Sequence, residues 1–248
     1  MPKESTTTKD DLSEVDTEIS EGVQHAVRLV NVSRVYAMGN TEVVALSDVS
    51  LDVTSGELVV VSGPSGSGKT TLLNMIGGLD YPSSGRVLLM DVPIGDYDES
   101  FRATFRLTNT GFVFQSYNLI STLTAIENVM FPMQLSNKDS KEIRKDASML
   151  LERVGLSDRL NHLPWQLSSG EQQRVAMARA MANDPPIVIA DEPTANLDSE
   201  SAEMIRSLLI SLNNAGKTVF VVSHDEDITG LPSARHLRMD KGVLSANA

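Results

Sequence analysis

Leu58-Val-Val-Val-Ser62 runs directly into Gly63-Pro64-Ser65-Gly66-Ser67-Gly68-Lys69-Thr70-Thr71, and a helical apolar pattern follows from Thr71 to Leu79. Gly63 to Thr70 fits G-x-x-x-x-G-K-[ST], and it stands where that pattern carries meaning, between a buried strand and a helix. Glycines let successive backbone N–H groups wrap a phosphate, and the helix N-terminus adds a dipole of the right sign. Gly63, Pro64, Ser65, Gly66, Ser67, Gly68, Lys69, Thr70 and Thr71 are therefore the expected nucleotide-binding set. Lys69 is expected to reach the β- and γ-phosphates, and the Thr70 hydroxyl to bind Mg²⁺.

A phosphate loop of this kind needs a carboxylate on a neighbouring strand to complete the magnesium shell. Ile187-Val-Ile-Ala-Asp191-Glu192 offers one at the end of an apolar run. Asp191 suits the magnesium role. Glu192, one residue on, is placed to polarise the water that attacks the γ-phosphate. Taken alone, an apolar run ending in two acids is an ordinary strand reaching solvent; the phosphate loop changes its meaning.

Working outward, Leu58–Ser62, Pro186–Ala190 and Val219–Val222 are continuous apolar runs ahead of loops, as in strands buried on both faces of a parallel sheet. Val27–Val30 and Ala45–Val53 alternate apolar with polar, which predicts half-buried antiparallel strands. Between Ser140 and Val154, Ile143, Ala147, Leu150, Leu151 and Val154 recur at helical spacing, and Gly155 follows as a stop. Strands alternating with helices around buried parallel runs predict an α/β fold. A mostly helical stretch interrupts it over about 116–172. Residues 1–24 are acidic and poor in apolar side chains, which predicts a disordered tail, either a plain solvated extension or a regulatory arm.

The net charge of −12 argues against a polyanion as main partner, so no nucleic acid is expected. With no cysteine, disulfides and thiolate metal sites are excluded, and the four histidines show no ligand spacing. The longest apolar stretches are too short to span a bilayer, and no secretory signal is visible, so a cytoplasmic protein is expected.

Leu167-Ser168-Ser169-Gly170-Glu171-Gln172-Gln173-Arg174 then opens a helix through Val175, Ala178 and Ala182. This segment resembles the signature of the ABC ATPases, usually Leu-Ser-Gly-Gly-Gln. The resemblance extends over about Val27 to Leu244 and includes each expected motif in the expected order. It implies a P-loop NTPase core with an antiparallel β subdomain and an inserted helical subdomain, the whole of 25–248 forming one ATPase domain. By the same resemblance, Tyr36 stacks on adenine, and Gln115 touches Mg²⁺ and the attacking water while sensing a membrane partner. Asp198, in Ala195-Asn-Leu-Asp198, lies in the loop that crosses a dimer interface, and His224 contacts the γ-phosphate. Ser169 departs from the usual glycine. Ser168 and the Gly170 backbone, the groups expected to meet the γ-phosphate across the dimer, are intact.

The resemblance further implies two copies with two ATP molecules between them, each phosphate loop facing the other copy's signature. The chemistry agrees, since the signature opens a helix whose N-terminus suits a phosphate. Gly77-Gly-Leu-Asp80, Pro82-Ser-Ser-Gly, Phe114-Gln-Ser-Tyr-Asn-Leu, Thr124-Ala-Ile-Glu-Asn-Val and Ala190-Asp-Glu-Pro-Thr-Ala-Asn-Leu-Asp198 look like ATPases of the lipoprotein-release, macrolide-efflux and cell-division type. An integral, permease-like membrane protein is the implied partner, with the chain peripheral on the inner face of the membrane, in export or force transmission. A signalling complex and a soluble ABC ATPase are the alternatives. Tyr117, Leu119, Ile120, Met130, Phe131 and Met133 form an apolar stretch beside Gln115, read either as helical-subdomain packing or as the docking surface for that partner.

Overall fold

The computed structural model describes residues 24–39, 41–136 and 139–246. The acidic tail expected over 1–24 lies, apart from Gln24, outside the described residues.

The chain opens with β1 (His25–Met38) and β2 (Thr41–Thr54), paired antiparallel with Leu29 opposite Leu51 and Val32 opposite Val49. In β2, Leu46, Val49, Leu51 and Val53 are buried while Ser50 and Asp52 are exposed, the period of two that a one-sided sheet requires. Next come β3 (Leu58–Ser62), α1 (Lys69–Ile76), β4 (Ser84–Leu89) and β5 (Val92–Pro93), then α2 (Glu99–Asn109) and β6 (Thr110–Val113). Three helices follow: α3 (Ala125–Gln134), α4 (Ser140–Arg153) and α5 (Ser169–Ala180). The remainder is β7 (Ile187–Asp191), α6 (Ser199–Asn214), β8 (Thr218–Val222), α7 (Glu226–Thr229), β9 (Arg235–Asp240) and β10 (Val243–Ala246).

Two sheets result, one antiparallel in the order β2-β1-β4-β5, the other in the order β10-β9-β3-β8-β7-β6. In the second, β9, β3, β8, β7 and β6 are parallel and β10 is an antiparallel edge. β8 is buried throughout, and β3 and β7 at all but their last residue, because apolar layers cover both faces. On one face Val59, Val61, Ile187, Ile189 and Phe220 pack with α1 and the antiparallel sheet. On the other, Leu58, Val60, Val219 and Val221 pack with Ile205 and Leu209 of α6. Helices α3, α4 and α5 have a core of their own, built from Ile126, Val129, Met133, Ile143, Leu151 and Val175.

The helix read as Thr71–Leu79 begins two residues earlier and stops at Ile76. There the Leu79 N–H reaches back to Asn74 O at 2.8 Å, a bond that closes a helix rather than extending it. The apolar stretch beside Gln115 is partly core and partly surface. Met133 is fully buried in the helical core and Leu119 and Met130 pack against it, whereas Ile120 and Phe131 are exposed.

Candidate functional site

Parallel strands bring their C-terminal ends, and the loops that follow them, to one edge of a sheet, and ligands of open α/β sheets bind there. Here the loops after β3, β6, β7 and β8 supply Lys69, Gln115, Glu192 and His224 to a single cleft of about 660 Å³. Its walls also include Tyr36, Ser65, Gly66, Gly68, Thr70, Thr71 and Asp191.

The loop after β3 is curled by its backbone. Gly68 sits at φ 107, and a Cβ there would lie 2.2 Å from Ala45 O, so no other residue fits against β2. Inside the curl the Lys69 ammonium donates to Gly63 O at 2.7 Å and Pro64 O at 2.9 Å. The Thr70 hydroxyl donates to Asp191 Oδ2 at 3.1 Å. Burial pushes the Asp191 carboxyl above the usual carboxylate range, with the Thr70 hydrogen bond and Lys69 pulling the other way. A hydroxyl and a carboxylate in contact, with the Gln115 amide on the same cleft, form the hard oxygen set that suits Mg²⁺.

Glu192 has φ 46, left-handed backbone that a side chain seldom adopts. Its N–H donates to Val222 O at 2.9 Å, and its Oε2 accepts the His224 backbone N–H at 3.1 Å. Oε1 lies 3.4 Å from His224 Nε2, so acid and imidazole face the cleft side by side.

Tyr36 is half-buried on the cleft wall. Its hydroxyl donates to Asp80 Oδ2 at 2.7 Å, and the Arg34 guanidinium lies 4.5 Å from the ring centroid while forking onto the same carboxylate. One face of the ring is therefore taken by Arg34, and the residue also lines the cleft.

Ser168, Gly170 and Asp198 are not among the residues that line this cleft. Ser168 caps α5 in a reciprocal box: its Oγ accepts the Glu171 N–H at 3.2 Å, and Glu171 Oε2 accepts the Ser168 N–H at 2.8 Å. The Ser168 N–H bond and Arg159, which donates to the other oxygen at 3.0 Å, hold the Glu171 carboxyl low against the opposing effect of burial. Glu171 is a second departure from the usual signature; it closes the capping box, as a glutamine there also can. Asp198 caps α6 in turn, accepting from the Ser201 N–H and hydroxyl. Ser169 is the exposed first residue of α5 and is not in left-handed backbone.

Sequence reasoning missed the supports of these groups. Thr194 donates to Asp225 Oδ2 at 2.8 Å and Arg206 to the same oxygen at 3.0 Å, bracing the residue after His224. Burial works to raise the Asp225 carboxyl, but these bonds and the Asp227 N–H prevail and hold it low. Gln173, buried in α5, donates to Pro193 O at 2.8 Å. Arg179, whose burial lowers its pKa, donates to Tyr117 O and Asn118 O and so fixes the turn after Gln115. Asp80, Thr194 and Gln173 stood inside quoted motifs, and Asp225 directly follows His224; for Arg206 and Arg179 no spacing signals the role.

A protein-family model described as ABC transporter matches residues 46–195. The chain belongs to the ABC transporter family. An ABC transporter ATP-binding protein of Methanocaldococcus jannaschii, MJ1508, is 49% identical over 199 residues, 80% of this chain and 89% of that protein. A lipoprotein-releasing system ATP-binding protein, LolD of Idiomarina loihiensis, is 46% identical over 200 residues, 80% and 88% of the two chains. Among solved structures, the ATP-binding cassette MJ0796 of M. jannaschii, dimeric and bound to ADP and Pi after hydrolysis, superposes with a TM-score of 0.84. It is 43% identical, over 89% of this chain and 98% of that one. This ABC transporter chain is accordingly an ATPase with the α/β fold of that cassette. Among the described residues, no helix is long and apolar enough to cross a membrane.

Proposed function

We propose that this chain binds Mg–ATP in the cleft at the ends of β3, β7 and β8 and hydrolyses it as a dimer, driving a separate integral membrane protein in export or force transmission. The observation that carries the reading is the meeting of Lys69, Thr70, Gln115, Asp191, Glu192 and His224 on one cleft. Residues 63–71 cradle the triphosphate, and Lys69 exchanges its two loop carbonyls for β- and γ-phosphate oxygens. Tyr36 offers its ring to adenine. Thr70, Asp191 and Gln115 would hold Mg²⁺, which when bound would neutralise charge on the phosphates. Glu192, kept beside the cleft by Val222 and the His224 N–H, accepts a proton from the attacking water. His224 and Gln115 contact the γ-phosphate and the water.

Ser168, Gly170 and Asp198 stand outside the cleft of their own chain, so they serve the site of a second copy. The Ser168 hydroxyl and the N-terminal dipole of α5 then meet the γ-phosphate of the partner's ATP. The dimeric cassette similar to this chain supports that assembly. The groove for the membrane partner is the apolar one of about 330 Å³ beside Gln115, where Leu79, Phe112, Phe114 and Phe131 meet Arg179. The chain thereby works on the cytoplasmic face of the membrane as a peripheral subunit.

The test is Glu192→Gln in purified protein. ATP binding is retained, turnover is nearly abolished, and an ATP-dependent dimer accumulates on size exclusion. Hydrolysis at the parent rate overturns the assignment of Glu192.

A further inference from the structure

Gln173 is a polar side chain in an apolar setting. It is 1% exposed, beside the buried Val175, Ala176 and Met177 of α5. Its Nε2 donates to Pro193 O at 2.8 Å, and its Oε1 has no hydrogen-bond partner. A buried amide oxygen left unpaired is costly, and an apolar side chain of the same shape would avoid the cost. What the amide supplies is its one bond, and that bond lands next to Glu192.

Glu192 needs holding, because its backbone is left-handed at φ 46. Upstream it is fixed by its N–H on Val222 O, and its own carbonyl accepts the Ala195 N–H at 3.1 Å. Downstream, the Pro193 carbonyl is fixed from α5 by Gln173. One helical turn before Gln173 lie Ser168 and Gly170. Gly170 is packed so closely on the start of α6 that a Cβ would lie 2.2 Å from Ser201 Oγ. A displacement of the α5 N-terminus is thus carried by a short, packed, hydrogen-bonded link to the backbone of Glu192.

In the dimer of the proposed function, on which this inference rests, the N-terminus of α5 belongs to one ATP site. Glu192 of the same chain belongs to the other. We propose that Gln173 is a positioning residue that ties the two ATP sites together. Seating of α5 on the ATP of one site sets the backbone, and with it the carboxylate, of Glu192 in the other. Turnover then rises cooperatively with ATP because a Glu192 is fully aligned only when the opposite site is filled.

The test is Gln173→Met, which keeps the length and volume of the side chain and removes its donor. ATPase rates are measured against ATP concentration for the parent, Gln173→Met and Glu192→Gln. Dimerisation with ATP is measured in Glu192→Gln with and without Gln173→Met. The tie predicts a parent Hill coefficient above 1 that falls to 1 in Gln173→Met, with kcat lowered about tenfold or more, KM within about twofold, and the ATP-dependent dimer retained. A parent coefficient of 1, an unchanged coefficient in the variant, or an unchanged kcat each overturns it. If Gln173→Met does not fold, Gln173→Leu makes the same comparison, since it too is apolar and lacks the donor. Parent-like turnover in Glu192→Gln instead strikes the underlying reading of Glu192, whatever Gln173 does.

Discussion

The Thr70 hydroxyl donates to the Asp191 carboxylate at 3.1 Å, joining the first turn of α1 to the end of β7 across 121 residues of sequence. Without nucleotide the half-buried Asp191 carboxylate has a single close hydroxyl, and burial raises its pKa. A carboxyl whose folded pKa is raised contributes stability below the ordinary aspartate range. That contribution is lost as pH rises through the folded value, so at neutral pH the ionised group is a liability. Asp191→Asn keeps an acceptor for Thr70 and removes the charge. The nucleotide-free variant should melt at or above the parent temperature at neutral pH, with the gap closing as the pH falls below the aspartate range. Its magnesium-dependent ATPase should drop by about a hundredfold or more. Calorimetry in chelator and steady-state ATPase assays check the two halves.

The Lys69 ammonium, proposed to reach the phosphates, donates to Gly63 O and Pro64 O. Lys69→Ala should weaken ATP binding by roughly thirtyfold, the worth of one charge-assisted hydrogen bond of about 2 kcal/mol. Titration with a fluorescent nucleotide measures it. Binding at the parent affinity would show that Lys69 stays on the loop carbonyls when nucleotide enters.

Ser168 is exposed and caps α5, so a large cation there obstructs the facing copy without reaching its own cleft. Ser168→Arg should bind ATP as a monomer like the parent and fail to form the ATP-dependent dimer in the Glu192→Gln background. Loss of the cap alone costs about 1 kcal/mol, and Ser168→Asn, which can still cap, controls for it. An ATP-dependent dimer of Ser168→Arg would sink the face-to-face arrangement.

Ser169 occupies the place of the usual signature glycine, yet it is the first residue of a helix and not in left-handed backbone. Serine strains nothing there. Ser169→Gly should leave ATPase activity within about twofold and lower the melting temperature by at most about 4 °C, the effect of roughly 1 kcal/mol in a domain of this size. A large loss of activity would reveal a specific contact of the Ser169 hydroxyl.

Leu79 and Phe131 are exposed apolar residues of the groove beside Gln115, at 42% and 43%. Phe131→Asp and Leu79→Asp should abolish co-purification with the membrane protein and leave the basal ATPase of the isolated chain within about twofold. Met133→Asp is not equivalent, since Met133 is fully buried and a charge there should unfold the helical core. Normal partner binding by the two groove variants would place the docking surface elsewhere.

What the sequence determined alone is whatever lies within a few successive residues. A phosphate loop is made by the backbone of Gly63 to Gly68 and the side chains just after it, so its chemistry is written contiguously. The same holds for β3, β7 and β8, where uninterrupted apolar runs already say that both faces are covered, and for α5, whose Ser168 and Glu171 close their capping box three residues apart. Tertiary structure decided which polar groups meet. Tyr36 is pinned by Asp80 from the loop after α1, His224 is braced through Asp225 by Arg206 of α6, and the turn after Gln115 hangs on Arg179 of α5. It also decided that Met133 is core while Phe131, two residues away, is surface. A hydrogen bond between distant elements has no sequence period, because its partners are set by how elements separated by tens of residues pack. Burial of one polar side chain such as Gln173 depends on the same packing, and only the folded chain reveals it.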